Sequence, residues 1–116
     1  MSLSIEELTA LALKFRDDRD WKQFHHPKDM AMSLCLEAAE VMELMQWRTG
    51  AELDQHLVTK RTDLADELAD VLFWVLVMSH ENQINPADAF VEKMKKNEVK
   101  YPVEKARGTA KKYTEL

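Results

Sequence analysis

The chain has 116 residues, enough for one domain with a single core and small enough that contacts between subunits could supply part of its buried surface. Hydrophobic residues make up 46% of it, while two glycines and three prolines leave few turn formers, so long helices are expected rather than many short strands. A formal charge of -5 disfavours a nucleic-acid polymer as partner, since phosphate backbones call for basic surface. The longest apolar run, Val71 to Met78, is far below the roughly 18 residues that suggest a membrane span. No signal-peptide pattern is evident at the N-terminus, and the one cysteine, Cys35, cannot close an internal disulfide and sits among apolar neighbours, as a small core residue would. A reducing cytoplasm is the expected compartment.

Ser4 followed by Glu7 forms a capping box, and Leu8, Leu11, Ala12 and Phe15 recur on one face, which predicts a first helix over roughly 5 to 18. A polar, aromatic stretch follows, Asp20 to Asp29, in which Pro27 suits the first turn of a second helix running to about Arg48. Gly50 is placed to end that helix, and Ala51 to Arg61 is a connector with room for a short helix. A third helix is expected from about Thr62 to Glu81. Asn85 and Pro86 then make a cap and first-position pair for a fourth, with Phe90, Met94, Asn97 and Tyr101 on one side and Pro102 as its stop. The expected organisation is one all-α domain over 1–102, a four-helix bundle-like core, followed by a basic tail over 103–116 carrying Arg107, Lys111 and Lys112.

The second helix places Met30, Glu37 and Leu44 seven residues apart, within about 20° of one another, so Glu37 lies inside the apolar stripe. Leu34, Val41 and Met45 complete that stripe, Glu40 borders it, and Trp47 continues the same side. The third helix repeats the pattern: Leu64, Val71, Val75 and Met78 mark its apolar side, and Glu67 borders it with Asp63, Asp70 and Trp74 nearby. Burying isolated carboxylates costs several kcal/mol, so these acids must be protonated, paired with cations or bound to a metal. Metal accounts for all four together. Mg²⁺ takes oxygen ligands and bridges phosphates, and a net-acidic protein needs such a cation to accept a polyphosphate. A single E-x-x-E is common on solvated helices; two such pairs on two inward faces are not. Glu43 extends the series but rotates away from the stripe, as a peripheral ligand, a base or an exposed acid.

Glu37-x-x-Glu40 and Glu67-x-x-Asp70, with 26 residues between the two pairs, resemble the signature of MazG-like nucleotide pyrophosphohydrolases. Nearly the whole chain carries the resemblance. Arg19-Asp20-Trp21 with Phe24-His25, Gln46-Trp47, Lys93-Met94 with Asn97, Tyr101-Pro102, Arg107-Gly108 and Lys112-Tyr113-Thr114 are similar to the dCTP pyrophosphatase branch. The resemblance implies a four-helix core assembled as a dimer or tetramer, Mg²⁺ held by Glu37, Glu40, Glu67 and Asp70, and nucleotide sites between subunits. It also implies that Trp21, His25 and Trp47 line the base and sugar pocket, with Lys93, Asn97 and Tyr101 nearer the sugar or phosphates. Indole faces stack on bases, imidazole hydrogen-bonds, and a lysine complements phosphate, so these roles are chemically reasonable. Trp74 departs from the branch, which usually has tyrosine there.

The expected activity is Mg²⁺-dependent hydrolysis of a nucleoside triphosphate, dCTP first, to the monophosphate and pyrophosphate, with dUTP, dATP or phosphoribosyl-ATP as alternatives within the superfamily. Di-iron carboxylate chemistry on the same bundle would need Glu-x-x-His, which the chain lacks. A non-catalytic rival is a helical oligomerisation module whose acids serve solubility, with Val71 to Met78 as its seam.

Overall fold

A computed structural model describes residues 2–116, and among them there is no strand. Ser4 caps α1 (Ile5–Asp17) reciprocally: its hydroxyl accepts from the Glu7 N–H at 3.1 Å, and the Glu7 carboxylate accepts from the Ser4 N–H at 3.1 Å. Past α1, Asp20 takes a left-handed φ of 54° that reverses the chain into a short 3₁₀ turn, Lys22–Phe24. Pro27 occupies the first turn of α2 (Pro27–Glu43), where its missing N–H goes unneeded.

The second helix stops earlier than the apolar periodicity suggests, and Gly50 does not end it. Beyond Glu43 the chain tightens into three-residue hydrogen bonds, Met45 N–H to Met42 O at 2.9 Å and Arg48 N–H to Met45 O at 3.3 Å. The left-handed residue of this turn is Trp47 (φ 71°), while Gly50, at φ 56°, opens α3 (Gly50–Thr59). Periodicity sees only which side chains are apolar, and a tightened turn keeps the apolar side while it leaves the helix. The connector therefore holds a helix of its own, followed directly by α4 (Arg61–Glu81).

The chain divides into two compact units, one ending at Gln83 and the other Ile84–Leu116. In the first, α2 pairs with α4 along much of their length, α1 packs on α4, and α3 touches α4 over a smaller area. The centre is small: Ala12 of α1, Met30 of α2 and Val77 of α4 are buried together, bordered by Phe73, Trp74 and Met78. Cys35, expected in a core, is exposed. So are Met32, Leu36 and Met42 on the same helix.

In the second unit, Asn85 accepts a hydrogen bond from the Asp88 N–H at 3.1 Å and Pro86 begins α5 (Pro86–Lys100). The basic tail contains one helical turn, α6 (Val103–Ala106), and a terminal 3₁₀ turn, Tyr113–Glu115. Tyr113 packs edge-on to Tyr101 at 6.0 Å, and the Lys100 ammonium lies 4.8 Å from the Tyr113 ring centre, tying the tail to the end of α5. No described helix is long and apolar enough to cross a membrane.

Candidate active site

The pairing of α2 with α4 brings the two acid pairs face to face. Glu37 and Glu40 descend from α2, Glu67 and Asp70 from α4, and one carboxylate oxygen of each lies within 4.8 Å of the others. Glu37 and Glu67 are partly buried; Glu40 and Asp70 are exposed. One oxygen of Glu37 and one of Glu67 are buried without any hydrogen-bond partner. Such orphaned acceptors are costly unless something outside the chain satisfies them.

The electrostatics follow from crowding like charges. A hydrogen bond donated to Glu40 by protonated Glu67 pushes the Glu67 carboxyl up to about 7, with burial and the charges of Glu40, Asp70 and Glu37 acting the same way. Burial first, then the charges of Glu40 and Asp70, raise Glu37 above its ordinary value. Four carboxylate oxygens, two of them orphaned, with no salt bridge to any of the four acids among the described residues, suit a hard divalent cation.

Beside the acids lies a cavity of about 400 Å³ lined by Phe15, Trp21, Glu37, Ala69, Asp70, Phe73 and Trp74, within the size range of small-molecule sites. Its aromatic walls pack edge to face: Phe15 on Trp21 at 5.6 Å, Phe15 on Phe73 at 6.0 Å, and Phe73 on Trp74 at 5.1 Å. The Arg19 guanidinium sits 3.9 Å over the Phe15 ring and donates to the Phe15 carbonyl at 2.9 Å, bracing that wall from outside. His25 packs on Trp74 at 4.9 Å with its Nδ1 buried and unpartnered. Burial, and then the charge of Arg16, lowers its pKa, so the ring is neutral at pH 7.

Of the residues expected from sequence, the fold gathers Glu37, Glu40, Glu67 and Asp70, and beside them Trp21, His25 and Trp74. Trp47 stands apart on the turn after α2, 90% exposed. Lys93, Asn97 and Tyr101 belong to the second unit. Glu43 falls outside the acid cluster and lines a separate hollow with Ala39, Met42, Met45 and Gln46. Sequence reasoning missed Phe15 and Phe73 as cavity walls, because an aromatic on an apolar helix face looks like ordinary core.

The MazG-like family profile matches residues 32–116. The chain is 35% identical to dCTP pyrophosphatase 1 of Rattus norvegicus over 115 residues, covering 97% of this chain and 68% of that protein. The Homo sapiens dCTP pyrophosphatase 1 is 34% identical over the same shares. A crystal structure of a pyrophosphatase from Archaeoglobus fulgidus superposes with a TM-score of 0.80 at 37% identity, covering 88% of this chain and 95% of that one.

Proposed function

We propose that this chain, which belongs to the MazG-like family and is a nucleotide pyrophosphohydrolase, converts dCTP and water to dCMP and pyrophosphate with Mg²⁺. The observation that carries this reading is the four-carboxylate cluster opening onto an aromatic cavity. Glu37, Glu40, Glu67 and Asp70 would hold the cation, whose chemistry when bound is positive charge against the phosphate oxygens and Lewis acidity toward water. The chain's own residues do the rest. Trp21 and Trp74 present ring faces to the base, and His25 hydrogen-bonds its edge. A carboxylate of the cluster takes the proton of the water that attacks the α-phosphorus in line, and pyrophosphate leaves. In the same reading Trp47 belongs to the base and sugar contacts, and Lys93, Asn97 and Tyr101 are the residues assigned to the sugar or phosphates.

The active form is a homo-oligomer, a dimer or tetramer, in the cytoplasm. Leu36 at 64% exposure and Met42 at 71%, with Met32, Val58, Leu68 and Leu72, are apolar side chains of the first unit that a second copy would cover, which supports this reading. Light scattering should give at least twice the 13.5 kDa chain mass at micromolar concentration; a fully active monomer would contradict this. The substrate is tested by kcat/KM for the eight common nucleoside triphosphates with and without Mg²⁺. dCTP should lead. A purine preferred by tenfold, about 1.4 kcal/mol in transition-state binding, overturns the substrate, and no pyrophosphate from any nucleotide overturns the activity.

A further inference from the structure

Three aspartates stand within two residues of Arg19, and each is taken by another side chain. Asp17 accepts from Nε of the buried Arg16 at 2.9 Å, Asp18 from Lys14 Nζ at 2.7 Å, and Asp20 from Gln23 Nε2 at 3.0 Å. Arg19 itself makes no salt bridge among the described residues. Its guanidinium turns to the aromatic wall instead: Cζ lies 3.9 Å from the Phe15 ring centre and 6.0 Å from that of Trp21, and Nη1 donates to the Phe15 carbonyl at 2.9 Å. Phe15 is the joint of that wall. Its ring meets Trp21 at 5.6 Å and Phe73 at 6.0 Å, and Phe73 meets Trp74 at 5.1 Å, so an unbroken chain of ring contacts runs along the cavity from the turn after α1 to α4.

We infer that Arg19 is a positioning residue for base binding: stacked on Phe15 and bonded to its carbonyl, it holds that ring against Trp21 and so fixes the indole in the cavity wall. The Trp21 backbone is held without it, the N–H donating to the Arg16 carbonyl at 3.1 Å and the carbonyl accepting from the Phe24 N–H at 2.9 Å. Backbone bonds leave the side-chain torsions open. Burial does not close them either, because Phe15 is 44% exposed and Trp21 42%. What sets the indole is therefore the ring it touches, and what sets that ring on its open side is the guanidinium. A planar, weakly hydrated cation suits such a place, since it stacks on a ring face while still in contact with water. Arg19 thus acts through Phe15 and not on the nucleotide. That Trp21 meets the base rests on the reading above; the Arg19–Phe15–Trp21 arrangement does not.

The test combines two measurements on Arg19→Met, Arg19→Lys, Phe15→Leu and the double variant Arg19→Met with Phe15→Leu. One is the kinetics of pyrophosphate release from the nucleotide that the wild type prefers; the other is the NMR signal of the Trp21 indole N–H, assigned with Trp21→Phe. Arg19→Met should raise KM about fivefold and leave kcat within about twofold, the size of a typical exposed cation–π contact spent on binding and not on chemistry. Arg19→Lys keeps a cation and a donor, and should return KM to within about twofold of wild type. The Trp21 signal should move in Arg19→Met and return in Arg19→Lys. In the Phe15→Leu background, Arg19→Met should add less than about twofold, because the ring it works through is gone. An arginine that touched the phosphates would instead add its full effect there and leave the Trp21 signal in place. A merely structural one would lower the thermal midpoint with KM unchanged. Either result overturns the inference. Should Phe15→Leu not fold, the Trp21 signal and KM of Arg19→Met against Arg19→Lys still decide. Absence of pyrophosphate release by the wild type from every nucleotide would overturn the activity alone, leaving the Trp21 signal to judge Arg19.

Discussion

Glu67 and Glu81 are the same residue type on the same helix, both partly buried, and their carboxyls are driven in opposite directions. Glu81 meets the Arg16 guanidinium, whose hydrogen bond holds it below the ordinary carboxylate range. Glu67 meets three other acids, and its carboxyl rises to about 7. The difference lies in whether the chain supplies the cation. Where it does, the acid is a fastening between α1 and α4. Where it does not, the acid stores like-charge repulsion that a divalent ion would relieve, which is why a cluster so unfavourable alone suits a metal-dependent site.

The largest effect should come from neutralising acids in the unbalanced region. Glu40→Gln and Asp70→Asn should each reduce pyrophosphate release on the order of a hundredfold or more, because each keeps its size but removes a charged ligand of the proposed cation site. Helical circular dichroism should be retained, and the metal-free protein should become more stable because repulsion is removed. Near-normal turnover in both variants would break the metal assignment.

The balanced region should respond with the opposite sign. Glu81→Gln leaves Arg16 short of a partner and should lower stability by about 1–3 kcal/mol in urea unfolding. Replacing both members, Arg16→Met with Glu81→Leu, should cost less than either single change, because no buried charge remains unmatched. Equal losses for single and double variants would mean that the pair contributes through shape and not charge.

A smaller effect separates the two regions by pH. Between the ordinary 4.5 and about 7, Glu67 keeps in the folded state a proton that the unfolded chain has released. The unfolded chain then binds fewer protons, so this group's contribution to stability is full below 4.5 and is lost as pH rises through about 7. Asp17 and Glu81, with lowered values, contribute stability above the ordinary carboxylate range and lose it as pH falls through their folded values. In EDTA the thermal midpoint should therefore decline from pH 5 toward neutrality, and saturating Mg²⁺ should flatten the decline by taking the place of the proton. A flat profile in EDTA would show that the four acids do not share a proton.

Much was legible in the sequence because its signals are local. Ser4 with Glu7 and Asn85 with Pro86 mark helix starts within one turn, and the seven-residue spacing of Met30, Glu37 and Leu44 puts an acid on the apolar side whatever the helix packs against. The all-α class and the inward lean of Glu37 and Glu67 follow from those signals alone. Tertiary structure decided what the signals meet. Arg16 and Glu81 are 65 residues apart, and neither lies in a pattern that announces the other. Phe15 and Phe73 became cavity walls, and Trp47, on the expected side of its helix, left that helix at a left-handed turn. Periodicity determines which face of a helix turns inward. Whether an inward charge finds an arginine or three more acids is set by the partner helix and its register, which no stretch of local sequence contains.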